Sequence, residues 1–565
     1  MNLTYKYDHF YRYEEITSIL KKYEAEFPNL CRLTALNQTP EGRNIWAIEV
    51  TNLATGDFSE KPAYFVNANI HCGEVTGSMT AMCLLDNIFT NYESDENIQK
   101  ILDNYTFYVI PRISPDGSEA YLTTPDTIRS VNRMYPYSDL MPGLQPKDMD
   151  GDGVILKMRV KSPYGAWKIS DKDPRLMTKR TPDDVEGDFY NVYTEGEIID
   201  YDGINVKSAP QKWGNDFNRN FPCGWQHSSV QKGSGIYPLS NIETKTVADF
   251  IISHKNICSS LNLHTMTGVY LHPPGMKHMK DADPADMARY KAMGKIGTEE
   301  SGYPAVCILD GYLPAGTAAG AAVGSLDDFN HFNMGIIYFT IECWDLDPRA
   351  GIPFGSPMMK EETDEEAEDH HLKYLQWIDR ENDGEGAKPW TKFNHPQLGE
   401  VEIGGIDYKH VVQNPPLKFL PQEVEKHTRF MLRHVKALPR IQFHKVDAVK
   451  VDESTYKVDA YVMNTGFLPT QVTNEAFKLK IDEDLKVSLC GQDLEFVEGK
   501  QTQEIGQLEG YSGIVARGGS LGASSEIVRP CEKKVTWIVK AKAGTELTIT
   551  CCNGKIGKRT TTITL

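Results

Sequence analysis

The chain has 565 residues, and 60 Lys and Arg against 78 Asp and Glu leave a formal net charge of −18. A length of this size, at roughly 150 residues per domain, predicts two to four folding units. Apolar residues make up 40% and aromatic residues 10%, a folded composition that excludes disorder and collagen-like structure.

Near the N-terminus, Ile16, Ile19, Leu20, Tyr23 and Phe27 share one face of a helix that Pro28 ends. Apolar, β-branched runs then recur at residues 63–70, 105–113, 259–264 and 335–342, with helical patterns such as 75–92 between them. This alternation predicts an α/β domain whose mixed, largely parallel sheet is flanked by helices. A polar stretch at about 134–212, rich in Asp, Pro, Gly and Tyr, separates two of these elements and reads as a lid or small subdomain. The acidic run from Glu361 to Asp369 reads as a solvated helix face, with a recruitment patch as the alternative. After about Leu438 the pattern changes: Tyr456, Val458, Ala460 and Val462 alternate with polar neighbours, as do Val535, Trp537 and Val539, and Asn553-Gly554 signals a hairpin turn. No helical period is visible there. The expected division is an α/β domain over residues 1–438, carrying the insertion, and an all-β sandwich over 439–565 that packs on it or binds a partner.

No stretch approaches the roughly 20 apolar residues that span a bilayer, and MNLTYKYDHFYRYEEI lacks a basic segment followed by an apolar one. The acidic balance repels phosphate backbones and anionic lipid, so neither nucleic acid nor a membrane is an expected partner. Eleven cysteines, single apart from Cys551-Cys552 and without a CxxC pair, fit a reducing compartment. A cytoplasmic location is the expectation, secreted or periplasmic if an export signal has been removed.

Chemistry gathers at strand ends. His71-Cys72-Gly73-Glu74 lies where an apolar strand gives way to a helix, so a His fixed by the strand and a carboxylate one turn on stand side by side. Leu261-Asn262-Leu263-His264 is a second short strand ending in His. Three N/O ligands and an open position for water are what zinc takes in a hydrolase, and the crevice outside the carboxyl ends of strands is where α/β sheets place their sites. A further strand delivers Glu342 after six uncharged residues, and an unpaired carboxylate buried there would cost several kcal/mol for structure alone. A general base beside the metal explains it better. Gly214 to Pro222 packs Asp216, Arg219 and three asparagines into nine residues, and Arg219 with Asn218 offers a fork of donors for a carboxylate.

Taken in order, His71 to Glu74, Pro115-Asp116-Gly117, Asp216 to Asn220, His264 and Glu342 resemble the zinc carboxypeptidases related to carboxypeptidase A. The resemblance covers about residues 8–345 and continues to about 436. It implies one zinc per chain on His71, Glu74 and His264, with Glu342 as general base and then acid. It implies further that Asn218 and Arg219 hold the free C-terminal carboxylate of a peptide, that Asp216 orients His71, and that Arg129 stabilises the oxyanion, with Arg133 as the alternative. The implied activity is hydrolysis of the C-terminal peptide bond of peptides or proteins through a zinc-activated water. An amidase acting on cell-wall peptides or other carboxylate-bearing amides, and a non-catalytic binding scaffold, are the competing expectations.

Three departures from the family pattern stand out. The loop 316–324 has no tyrosine where relatives carry a mobile phenol, so that role is absent or falls to Tyr312. The insertion is placed to roof the site. It contains Asp148, Asp150, Asp152 and Gly153, the first half of an EF-hand-like calcium loop, but Arg159 replaces the bidentate Glu, and an acidic turn is the alternative. Around residues 324–328, Leu326 at the base of the side-chain pocket would favour apolar C-terminal residues, whereas Asp327 or Asp328 would favour Lys or Arg.

Overall fold

The computed structural model describes residues 1–354, 362–517, 524–527 and 530–565. An eight-stranded mixed sheet forms the centre, built from β1 (Cys31–Gln38), β2 (Asn44–Val50), β3 (Ala63–Ala68), β4 (Thr106–Ile110), β5 (Ile257–Thr265), β6 (Val269–His272), β7 (Ala305–Cys307) and β8 (Ile337–Cys343) in the order β1-β2-β4-β3-β5-β8-β6-β7. The four inner strands β4, β3, β5 and β8 run parallel, and every residue of each is buried. A strand covered on both faces cannot alternate polar and apolar residues, which is why these segments read as continuous apolar runs.

Two hydrophobic clusters cover the faces. One packs the strands against α1 (Tyr13–Glu26), α2 (Val75–Asn91) and α3 (Leu420–His434) through residues such as Leu20, Met82, Phe107, Phe339 and Phe430. The other gathers Phe65, Tyr108, Phe217, Phe250 and Tyr338. α2 lies close on β5 because Gly77 has no side chain: a Cβ there would stand 2.4 Å from the Leu263 carbonyl oxygen.

The insertion is not self-sufficient. Its strands Lys157–Lys161, Tyr190–Thr194, Trp167–Ile169 and Met177–Lys179 form a six-stranded sheet only together with the hairpin Ala387–His395 and Gly399–Ile406. Leu156, Met158 and Ile198 of the insertion share a core with Val401 and Ile403 of that hairpin. The helix Asp364–Glu381 packs beside it with Asp364, Glu365 and Glu366 in its first turn, capped by Thr363; Glu361 of the acidic run lies outside the described residues.

Residues 441–564 form two four-stranded antiparallel sheets facing each other across Val458, Val462, Trp537, Val487, Leu489 and Ile549. The hairpin at Asn553-Gly554 pairs Glu546–Asn553 with Gly557–Thr564. One short helix, Asn474–Leu479, departs from the purely β expectation; Thr473 caps it and also donates to the Gly335 carbonyl at 2.8 Å, so a tertiary contact fixes what six residues of sequence do not announce. Among the described residues no helix is long and apolar enough to cross a membrane.

Candidate metal and active site

The carboxyl ends of β3, β5 and β8 meet at one crevice. After β3 the chain turns at Asn69, with φ of 63°, whose side-chain amide donates to the carbonyls of His71 (2.8 Å) and Cys72 (3.1 Å). That turn puts His71 beside the sheet and Glu74 at the N-cap of α2. Asn414 clamps it from outside, donating to the Gly73 carbonyl at 2.9 Å and accepting from Thr76 N at 3.2 Å. His264, on β5, stands in register with Glu342 on β8.

The Glu74 carboxylate lies 2.9 Å from His71 Nδ1 through one oxygen and 2.9 Å from His264 Nδ1 through the other. The two Nδ1 atoms are themselves 3.1 Å apart, and His264 Nε2 is buried with no partner among the described residues. Two imidazole nitrogens that face each other cannot both satisfy their donor and acceptor needs with one carboxylate. A cation at their common focus resolves this, and two nitrogens with one carboxylate are a donor set zinc favours. The residues present therefore fit the metal. Burial alone would push the Glu74 carboxyl up; the two imidazoles outweigh it and hold the group well below the usual carboxylate range.

His71 Nε2 meets Asp216 Oδ1 at 3.1 Å, which fixes the ring so that Nδ1 faces the focus. Arg129 bridges the cluster, donating from Nε to Asp216 and from Nη1 to Glu74, each at 3.2 Å, and its side chain is 41% exposed at the mouth. Arg133 does not reach the crevice: it forms a two-pronged pair with buried Glu243, both contacts 2.8 Å. Glu342 is buried, and among the described residues no hydrogen bond or ion pair reaches its carboxylate. Its desolvation, together with the nearby charge of Glu74, raises its pKa well above the ordinary value.

Asp216 begins the turn that carries Asn218 and Arg219. Asn218 is oriented by the Leu326 N–H, donated to its Oδ1 at 2.8 Å, and faces Asp327 Oδ2 at 3.4 Å. Arg219 donates to the Asn218 carbonyl at 2.7 Å and has no carboxylate partner among the described residues. In the stretch 324–328, Leu326 is core, packed with Phe221 and Phe329, so it does not line the site. Asp327 faces it, accepting from Thr340 Oγ1 at 2.8 Å two residues before Glu342. Asp328 points elsewhere, taking the Gly275 N–H at 3.0 Å, and burial pushes its pKa up to about 7.

Two phenols stand near these groups. Tyr312 accepts from Thr267 Oγ1 at 3.2 Å, and burial with the charge of Glu342 raises its pKa. Burial raises the pKa of Tyr408, the charges of Glu74 and Glu342 add to this, and Arg129 opposes it. Sequence reasoning missed Tyr408 because it follows Glu342 by a long segment that carries no motif. In the acidic loop, oxygens of Asp148, Asp150 and Glu195 lie within 4.8 Å of one another. Asp152 instead pairs with Lys388, and Asp148 accepts from Gly151 N (2.7 Å) and Gly153 N (2.9 Å).

A family model described as zinc carboxypeptidase matches residues 16–154 and 175–368, more than half of the chain. A second, described as a domain of unknown function, matches residues 440–564. Carboxypeptidase A4 of Mus musculus is 26% identical over 337 residues, 59% of this chain and 61% of that relative. Carboxypeptidase D of Anas platyrhynchos is 27% identical over 107 residues, 19% of this chain, and the match spans only 8% of that relative's length. Among solved structures, thrombin activatable fibrinolysis inhibitor shares 14% identity at a TM-score of 0.43, covering 76% of this chain and 74% of that one. Carboxypeptidase A from Helicoverpa armigera shares 16% at a TM-score of 0.40, covering 66% and 74%. The family model takes in His71, Glu74, Asp216, His264 and Glu342, and over that span the chain belongs to the zinc carboxypeptidase family.

Proposed function

We propose that the protein is a zinc-dependent metallocarboxypeptidase that hydrolyses the C-terminal peptide bond of peptides or proteins. The observation that carries this is the convergence of His71 Nδ1, His264 Nδ1 and the Glu74 carboxylate near a buried Glu342 that has no partner among the described residues. His71, Glu74 and His264 would hold the zinc. When bound, it supplies a Lewis acid that polarises a carbonyl and acidifies water.

The chain's own groups do the rest. Arg219 and Asn218 pair with the substrate's terminal carboxylate, so cleavage is counted from the C-terminus. Glu342, kept basic by burial, takes a proton from the attacking water and delivers it to the leaving amine. Arg129 offers its remaining N–H groups to the charge that develops on the scissile carbonyl oxygen, a type of contact worth about 3 kcal/mol. Asp216 holds the His71 ring and Arg129 together. Asp327 lies beyond Asn218, where the side chain of the last residue would reach, and its carboxylate selects Lys or Arg there.

A panel of peptides tests this reading. A charge-assisted fork contributes about 1.5 to 3 kcal/mol, so a free acid should be cleaved at least about tenfold better than its C-terminal amide. Arg219→Met should erase most of that difference, and Asp327→Asn should weaken a preference for C-terminal Arg over Leu. Equal cleavage of acid and amide would make the chain a general amidase, and a preference for Leu would reassign Asp327. Elemental analysis should give one zinc per chain; calcium recovered with it would assign the 148–152 loop.

A further inference from the structure

A cavity of about 1020 Å³ lies between the insertion sheet, the hairpin Gly399–Ile406 and the helix Asp364–Glu381. Ligand sites commonly measure about 300 to 1,000 Å³, so this one has room for several residues rather than one side chain. Its lining includes Asp126, Thr127, Trp213 and Tyr408. Thr127 stands two residues before Arg129 and Trp213 three before Asp216; Trp213 also packs against the cluster of Cys72, Val75 and Ile128, and the Tyr408 phenol feels the charge of Glu74. This part of the lining therefore borders the segments that carry Glu74, Arg129 and Asp216. Asn218, Arg219 and Asp327 are absent from its lining, so the cavity is separate from the place proposed for the C-terminal residue.

Its walls are aromatic, with Trp167, Trp213, Trp390, Tyr193 and Tyr374. Five cations line it, and four are neutralised: Arg175 by Asp173 and Asp379, Lys179 by Asp364, Lys212 by Asp126 and Lys388 by Asp152. The lining carboxylates are used as well, Glu368 by Lys172 at 3.1 Å. Lys157 has no carboxylate within 4 Å among the described residues. It is accessible within the cavity, yet the protein around its ammonium pulls its pKa below the ordinary lysine value, as for a charge that wants a counter-ion.

We propose that this cavity binds the peptide stretch N-terminal to the scissile bond, and that Lys157 pairs there with a carboxylate side chain of the substrate. The substrate class is then a peptide with an acidic residue a few positions before its C-terminus, its neighbours packed on the tryptophans. This rests on the carboxypeptidase reading.

The test compares peptides of one length and one C-terminal residue in which a single upstream position, scanned in turn, is Glu or Gln. At one position the Glu peptide should show a KM lower by at least about tenfold, the effect of one charge-assisted contact. Lys157→Met should reduce that ratio to within about twofold, and Lys157→Arg should keep it. No Glu preference at any position in the wild-type protein, or an undiminished one in Lys157→Met, overturns the proposal. If no peptide is hydrolysed, the same ratios read as Kd by fluorescence anisotropy with dye-labelled peptides decide it. Retained Glu preference without hydrolysis would sink the carboxypeptidase reading and leave the cavity assignment standing.

Discussion

Glu342 and Glu74 are two buried carboxyls in one crevice with opposite electrostatics. Glu74 has two imidazoles against it, which hold its pKa low; Glu342 has desolvation and its neighbour's charge, which raise its pKa and make it the stronger base. Environments that push two carboxyls apart separate ligand from proton carrier. Glu342→Gln should therefore keep stoichiometric zinc while kcat falls by at least about 10²-fold. Loss of metal together with activity, read by elemental analysis of the purified variant, would make Glu342 a ligand instead. His71, Glu74, His264 and Glu342 were legible because each ends a strand or opens a helix. Which arginine enters the crevice was not legible, since the answer depends on Glu243, a residue on a distant helix that claims Arg133.

At the scale of elements, the sheet and its helices carry buried histidines that must stay neutral. His434 on α3 touches the Tyr64 hydroxyl at 3.0 Å, and burial lowers its pKa to about 3. His331, held by Tyr290, and His272, at the end of β6, are lowered by burial to about 4. Unfolded histidine titrates near 6.5, so between about pH 6.5 and 4 the unfolded chain binds protons that the native one refuses. Stability should be full above about pH 6.5 and fall as pH drops towards 4, each residue contributing on the order of 1 to 3 kcal/mol. The thermal midpoint measured from pH 7.5 to 4.5 checks this: His434→Phe should show a shallower fall, and a midpoint unchanged between pH 7 and 5 would contradict it.

Across the whole molecule, the β sandwich is tied to the α/β domain by buried charge. Arg289, 5% exposed on the helix Pro284–Ser301, donates to Asp286 at 2.8 Å and to Glu509 of the sandwich at 3.0 Å. Asp286 in turn accepts the N–H groups of Asn474 (2.8 Å) and Glu475 (3.1 Å). Lys555 reaches back to the Ile257 carbonyl at the start of β5, at 3.1 Å. Removing one member of such a pair leaves an uncompensated buried charge, a loss of about 3 to 5 kcal/mol. Arg289→Met should lower the urea midpoint and split one unfolding transition into two, followed by tryptophan fluorescence. An unchanged single transition would mean that apolar packing alone couples the domains.

Local pattern determined the parallel strands, the β sandwich and the candidate cluster of His71, Glu74 and His264, because burial on both faces and strand-end placement leave marks within a few residues of sequence. Leu326, Asp327 and Asp328 show where that information ends: three consecutive positions read alike until the turn sends one into the core, one to the site and one to Gly275. The partnership of the insertion with residues 387–406, Tyr408 in the field of Glu74, and the cavity with a Lys157 that has no carboxylate partner among the described residues were decided only by tertiary structure. Each depends on segments far apart in the chain, and neither strand pairing nor charge neutralisation between such segments has a local signature.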